Sequence, residues 1–323
     1  MATDNTKCFK IKSGGFYGVC LLIALLFISY GCTTVSDIGS SISKKTKKVI
    51  RTIKAPKVNL SKKIGFILFE NKTLFKQNNL EVTFTKLLSK AVKQNCPSFI
   101  VIMPGDKNFP DILTALPRHP SGRIDNMVLA NMAKQLGLSA IVTGSLHDIS
   151  ESAEEKGILW FKDIHNFIST KLIVEVFDSQ SAAKLLDNVY VHESEVGETE
   201  YEMIKARKSD GLPELEVAIE KIAITMGEEI CEKVAKQPWR AYIVGVNAKT
   251  AVLSSGSQVG IKPNERFDIY SAGEIIKGAA GQRFYIPGHK IGELKITNVK
   301  PGKAQAFLTQ GEMKQGDYIK FKD

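Results

Sequence analysis

The segment Phe16–Tyr30 (FYGVCLLIALLFISY) constrains this 323-residue chain more than any other feature. It is an uncharged, apolar run. Lys7, Lys10 and Lys12 precede it, and Gly31-Cys32 close it. A positive start, an apolar core of this length and a small residue at its end make an export signal. A spanning helix needs ~20 apolar residues, so a permanent span is the weaker reading. The folded part is therefore expected after this segment and outside the cytoplasm.

Charge follows the same division. Residues 1–63 hold twelve of the 44 Lys/Arg and only two of the 34 Asp/Glu, Asp4 and Asp37. The remainder holds 32 of each sign and is neutral. The whole excess of +10 sits before the folded part, which removes nucleic acid as a partner. A basic stretch beside a membrane anchor favours anionic surfaces, and a solvated linker explains it equally well.

Cys32 after Gly31 resembles the bacterial lipobox, which implies a diacylglycerol on the Cys32 thiol and removal of residues 1–31. Ser29 and Tyr30 stand where that family usually has other residue types. Thr33, in place of an Asp, implies sorting to the outer membrane, facing the periplasm. Residues 32–62 are then a basic tether. Ile42, Val49 and Ile53 have helical spacing, but a flexible spacer is preferred. About 30 such residues span roughly 30 Å.

Beyond the leader and the anchor, Cys96 and Cys231 remain. They could pair in an oxidising periplasm. Both fall at helix positions beside apolar residues, and two buried free thiols are preferred.

Residues 63–236 alternate strand-like and helix-like patterns. Ile64–Phe69, Phe99–Met103 and Ala140–Gly144 read as buried strands. Leu80, Phe84, Leu87, Leu88, Ala91 and Val92 mark one helix face, and Ile124–Leu136 another, ending at a Gly137 cap. Residues 104–122 hold four prolines and read as a long loop, functional by its length. Residues 157–167 read as strand. Thr170–Phe177 and Leu185–His192 form a hairpin across Asp178–Ser181. Leu215, Ile219, Ile222, Met226, Ile230 and Val234 mark a last helix opened by Pro213.

The phrases IGFILFEN, AKQLGLSAIVTGSLHD and LIVEVFDSQSAAKLLDN make this region similar to CsgG-type curli-secretion lipoproteins. It also resembles the amino-terminal domain of TolB and the middle domain of flagellar assembly protein T. The resemblance implies an α/β domain used for protein contact and complex assembly. A channel subunit would need alternating strands with a lipid face of about 9–11 residues. Residues 150–170 begin acidic, and only Ile158–Phe161 is strongly apolar, which argues against a pore.

From Trp239 to Asp323, short strands alternate with Gly- and Pro-containing turns. Ala241–Val246, Ala251–Leu253, Arg266–Tyr270, Gly292–Val299, Ala304–Leu308 and Tyr318–Phe321 read as a small barrel or sandwich. GSQVGIKPNERFDIY, IGELKITNVKPGKAQAFL and MKQGDYIKF resemble the carboxy-terminal domain of flagellar assembly protein T. The expected fold class is thus an α/β (α+β) sheet-and-helix domain, 63–236, followed by a small all-β barrel-like domain, 239–323.

Chemical motifs are weak. Gly278-Ala279-Ala280-Gly281 lacks the Gly-Lys-Ser/Thr of a phosphate loop and reads as a hairpin tip. Ser145, His147 and Asp148 cannot converge from one strand, which would put Ser145 and His147 on one face and Asp148 on the other. His119, His165, His192 and His289 are dispersed. Glu193, Glu195, Glu198 and Glu200 read as a solvated loop before a cation site. Trp160 and Trp239 read as packing residues. No catalytic residue, cofactor or metal ligand is assigned; Cys32 alone is named as a modified residue. The expectation is a non-enzymatic outer-membrane lipoprotein that scaffolds an envelope machine, flagellar or secretory, with envelope proteins and the membrane as partners. The alternatives are an oligomeric CsgG-like export-channel subunit, homo-oligomeric in that case, and a tethered regulator of a cell-wall enzyme.

Overall fold

In the computed structural model, Asn59–Asp323 form one compact unit. The structure describes residues 60–321 except 77–78, 108, 159, 209–211 and 280. Cys32 and the other leader and tether readings before residue 60 lie outside the described residues.

The α/β part is built on one mixed sheet. Strands β1 (Lys63–Phe66), β2 (Glu70–Asn71), β3 (Ile100–Ile102), β4 (Ala140–Ile158), β5 (Phe161–Asp178) and β6 (Lys184–Val196) run in the order β3-β1-β4-β5-β6, with β2 added to β4. The first three positions are parallel and the β4-β5-β6 meander is antiparallel. Helix α1 (Leu80–Asn95) connects β1 to β3 and helix α2 (Asn126–Leu136) connects β3 to β4. These crossovers move in opposite directions along the sheet, so right-handed connections place the two helices on opposite faces.

The expected helix faces are the buried ones. Phe84, Leu88 and Val92 of α1 are fully enclosed, and Phe84 meets Phe69 edge-on at 5.0 Å. All six apolar residues marked for the last helix, α4 (Pro213–Ala235), are buried. Pro213 opens it. The carboxylate of Glu200, from helix α3 (Glu198–Lys205), accepts the backbone N–H groups of Glu214 at 3.1 Å and Leu215 at 3.2 Å. An anion on the free donors of a helix start is favourable. The acidic cluster is therefore divided: Glu200 caps α4, and Glu195 sits 2.7 Å from His165.

Gly137 and Gly144 are among the glycines dictated by close approach. Gly137 ends α2 at φ 66°, as its position in the sequence predicts, and a Cβ there would stand 2.3 Å from the Ser254 carbonyl. Gly144 lies under Phe69, and a Cβ there would stand 2.0 Å from the Ile173 carbonyl and 2.5 Å from the Phe69 ring.

Four findings correct the sequence reading. First, Cys96 and Cys231 are joined in a disulfide, with Cα atoms 5.9 Å apart. Helix positions do not exclude a bridge when two helices touch. Gly227 of α4 lies against Ala91 of α1, and Cys96 caps α1 one turn further on. Second, β4 does not stop at Gly144 but runs 19 residues, straight through the acidic stretch read as separate from it. Its ladder with β5 continues to Ile158↔Phe161. β6 stops at Val196↔Asn166, so the rest is a two-stranded ribbon in water. Polar residues are tolerated there because neither face is covered. Lys162 pairs with Glu155 at 3.0 Å, and Lys156 lies over the Phe167 ring at 4.5 Å. Trp160 stands 80% exposed at its tip, not in a core.

Third, β4 carries a bulge between Leu146 and Asp148. Leu146 and Ile149, three apart, pack into the same core cluster, where regular alternation would put them on opposite faces. Ser145 is buried while His147 and Asp148 are exposed, so Ser145 and His147 do not share a face environment. Fourth, the folded body includes the last residues assigned to the tether. Ser61 N–H donates to the Val259 carbonyl at 2.9 Å, and Leu60 packs against the barrel core. The Lys62 ammonium donates to the carbonyls of Val234 and Ala235, both at 2.8 Å, and to that of Gln237. A cation on the last carbonyls of α4 satisfies groups the helix leaves open.

That position sets a pH dependence. Burial, and next the charge of Arg240, lower the Lys62 ammonium to about 8. Lys134 is lowered to about 8 by its burial, against the pull of Asp178. A depressed lysine binds fewer protons folded than unfolded between about pH 8 and its ordinary value, so stability rises with pH across that window. Urea unfolding at pH 7.5 and 9.5 is expected to show this rise, and Lys62→Met to reduce it, leaving the share of Lys134. The same rise in wild type and variant would remove Lys62 as its source.

The second part is a closed barrel. Strands β7 (Ala241–Asn247), β8 (Thr250–Leu253), β9 (Arg266–Tyr270), β12 (Lys290–Val299), β13 (Ala304–Gly311) and β14 (Tyr318–Phe321) close in the order β12-β13-β8-β7-β14-β9. All six were legible as short strands. Phe267 sits at its centre, 5.0 Å from Phe321 and 5.8 Å from Trp239, whose indole N–H donates to the Ser61 carbonyl at 3.1 Å. The fold class is thus an α/β sheet-and-helix domain followed by a small closed β-barrel. The hairpin β10 (Ile275–Lys277) and β11 (Arg283–Tyr285) is an insertion between β9 and β12 that reaches back to the sheet.

Candidate functional site between sheet and barrel

The two parts are joined by polar groups. The Asp178 carboxylate, at the end of β5, pairs with Arg240 at 3.3 Å, with side chains 5% and 12% exposed. The same carboxylate accepts the Ser181 N–H at 2.9 Å and hydroxyl at 2.6 Å. Ser179 and Tyr242 hydroxyls meet at 2.7 Å. The insertion hairpin docks next to them. Tyr285 N–H donates to the Ser181 carbonyl at 2.9 Å, and Asn126 donates its amide to the Arg283 carbonyl at 2.6 Å. Lys134 lies over the Tyr285 ring at 3.3 Å. Cation–π contact offsets part of the cost of holding that ammonium away from water.

Docking of the hairpin leaves a cleft of about 470 Å³ beside this joint. Its floor is the sheet, where Thr143, Gly144 and Ser145 of β4 face it. One wall is the proline-rich loop, with Leu116, Arg118 and Arg123. The opposite rim is Gly281, Gln282 and Phe284 of the hairpin. Such a volume lies within the range of small-molecule sites, ~300–1,000 Å³.

Charged side chains line it in two groups. Glu70 of β2 pairs with Arg118, and with Lys72 at 3.4 Å. Burial raises the Glu70 carboxyl, but the hydrogen bonds and charges of Arg118 and Lys72 outweigh it and leave the group below its ordinary value. Lys184 of β6 pairs with Glu175 at 2.5 Å and with Asp187 at 2.8 Å. Its partners hold the ammonium above the ordinary value, against the opposing effect of burial.

The loop from Pro104 was marked by its length, and it does line the cleft. Ser145 of the GSLHD phrase also faces it, but His147 and Asp148 do not belong to it. His119 lines the wall and pairs with Asp125 at 3.4 Å, while His165 stands on the ribbon beside Glu195. Glu70, Lys72, Glu175 and Lys184 were not singled out from the sequence. They are ordinary residues on β2, β5 and β6 and, for Lys72, just after β2, and only their arrangement makes them a site. The segment 278–281 was legible as a hairpin tip, but nothing local in it says where the hairpin docks.

No family model and no curated protein matches the chain. Among solved structures, the chain is similar to the hypothetical protein CT253 from Chlamydia trachomatis, at 11% identity and a TM-score of 0.32, over 53% of this chain and 99% of that one. It is similar to lipoprotein GNA1162 from Neisseria meningitidis at 11% identity and a TM-score of 0.25, over 45% of this chain and 93% of that one. A third is TolB from Acinetobacter baumannii, at 11% identity and a TM-score of 0.28, over 78% of this chain and 58% of that one. Scores and identities of this size carry no argument about what the chain does. The likeness to CsgG and to flagellar assembly protein T stays a reading of the sequence.

Proposed function

We propose that this chain is an exported bacterial lipoprotein, anchored through Cys32 in the outer membrane, whose periplasm-facing body is a non-enzymatic scaffold for an envelope machine. The observation that carries it is the apolar run Phe16–Tyr30 ending in Gly31-Cys32, followed by a basic stretch and a neutral body. The body supports the second half of the reading. Its sheet and barrel are locked by a polar joint, and the two-stranded end of β4 and β5, which projects beyond β6, offers an exposed contact surface.

A second reading, the export-channel subunit, is favoured by the β4–β5 pair, whose 19 and 18 residues exceed the about 9–11 a membrane strand needs. Its charge pattern weighs against it. Glu154, Lys156, Asp163 and His165 share one face, and Glu151, Glu155 and Lys162 the other, so neither face suits lipid.

The test is intact mass and membrane fractionation of the chain expressed with its leader, beside Cys32→Ser. A lipid-sized mass increase on a Cys32 amino terminus, lost in the variant together with membrane association, is expected. An uncleaved or unlipidated product would end the lipoprotein reading. Amine cross-linking in intact cells then separates the roles: a scaffold joins a different envelope protein, a channel yields only rings of itself.

A further inference from the structure

The cleft between the sheet and the insertion hairpin sorts its charges by position. At the β2 end, Lys72 and Arg118 outnumber Glu70. At the β5–β6 end, Glu175 and Asp187 outnumber Lys184. Each group is internally paired, yet each leaves one charge over, positive at one end and negative at the other. Arg123 of the loop adds a further cation to the lining.

Between the two ends lies β4. Thr143 is 1% exposed and faces the cleft, and its Oγ1 has no hydrogen-bond partner among the described residues. A buried hydroxyl left unpaired costs about 1–3 kcal/mol, so a group entering the cleft gains by meeting it. Strand pairing sets the scale. Glu70 lies beside Ser145, and Thr143 beside Glu175, which lies beside Asp187. Neighbouring strands are about 4.8 Å apart, so β2 and β5 are separated by about 10 Å and β2 and β6 by about 14 Å.

We propose that this cleft binds a short peptide as a zwitterion, its carboxylate at Arg118 and Lys72, its ammonium at Glu175 and Asp187, and its backbone on the Thr143 hydroxyl. An extended chain covers about 3.3–3.6 Å per residue, so three residues match the gap from β2 to β5. Phe177 and Phe284 supply apolar lining for small side chains. This goes beyond the scaffold reading and stands without it.

The experiment is calorimetric titration of the detergent-solubilised full chain with L-Ala-L-Ala-L-Ala, against its N-acetylated and C-amidated forms. Trialanine is expected to bind with a sub-millimolar Kd, and each capped form about tenfold or more weaker. Asp187→Asn weakens the uncapped peptide by a similar factor. Thr143→Val, which keeps the side-chain shape and removes the unpaired oxygen, weakens it at a melting temperature that holds or rises, so the test survives if the charge variant misfolds. No binding at about 5 mM overturns the proposal. So does binding that ignores capping, which describes an apolar groove, and so does binding that both variants leave unchanged, which places the peptide elsewhere.

Discussion

Replacing Cys96 and Cys231 together by alanine lowers stability by about 5 kcal/mol. The bridge closes a loop with a sequence separation of 135 residues. In the chain-entropy account, the unfolded ensemble loses about 4.7 kcal/mol of freedom for a 100-residue loop, and slightly more for this one. The native side loses little, because α1 and α4 already touch at Ala91 and Gly227. The change reads as a fall in the urea midpoint between wild type and double variant; at a slope of about 2 kcal/mol per molar it is ~2.5 M. Reductant added to the wild type is expected to reproduce the fall. Equal midpoints in the oxidised wild type and the variant would show that the bridge holds nothing the helix packing does not.

Asp178→Asn is expected to cost about 3–5 kcal/mol, the cost of leaving one partner of a buried ion pair uncompensated. Arg240 is the group stranded. Its side chain is 12% exposed, and its Nε already has no hydrogen-bond partner among the described residues. The reverse change, Arg240→Met, costs less, because Asp178 keeps the Ser181 N–H and hydroxyl. The double variant should be more stable than Asp178→Asn alone, the mark of a coupled pair. Trp239, packed on Phe267 in the barrel, reports by fluorescence whether the barrel loosens from the sheet before either unfolds. Additive losses in the double variant would deny the pair its role at the joint.

Legibility in the sequence follows what each element depends on. The faces of α1 and α4 were readable because burial there repeats every three to four residues and one partner surface takes them all. The barrel strands were readable because turn residues bracket each of them. The acidic half of β4 was not, since its strand character comes from pairing with β5 and not from its own residues. The bulge at His147 shows only as a break in alternation, Leu146 then Ile149. The Cys96–Cys231 bridge depends on two helices meeting across 135 positions, which no local pattern reports. The cleft was half visible: its proline-rich wall had a signal, while the charge sorting between Glu70 and Asp187 exists only once β2, β4, β5 and β6 are laid side by side.

The clamp at Lys62 has a mechanical consequence. Tension on the chain at Leu60 enters the body through Lys62 and then β1, which is flanked on both sides by parallel neighbours, β3 and β4. Pulling β1 along its axis loads both ladders in shear, so their hydrogen bonds must fail together rather than unzip one at a time. The three carbonyls held by Lys62 pass part of that load into α4, and α4 is stapled to α1. The point where the body meets the preceding segment is thus one that resists tension, suited to a body loaded through that segment.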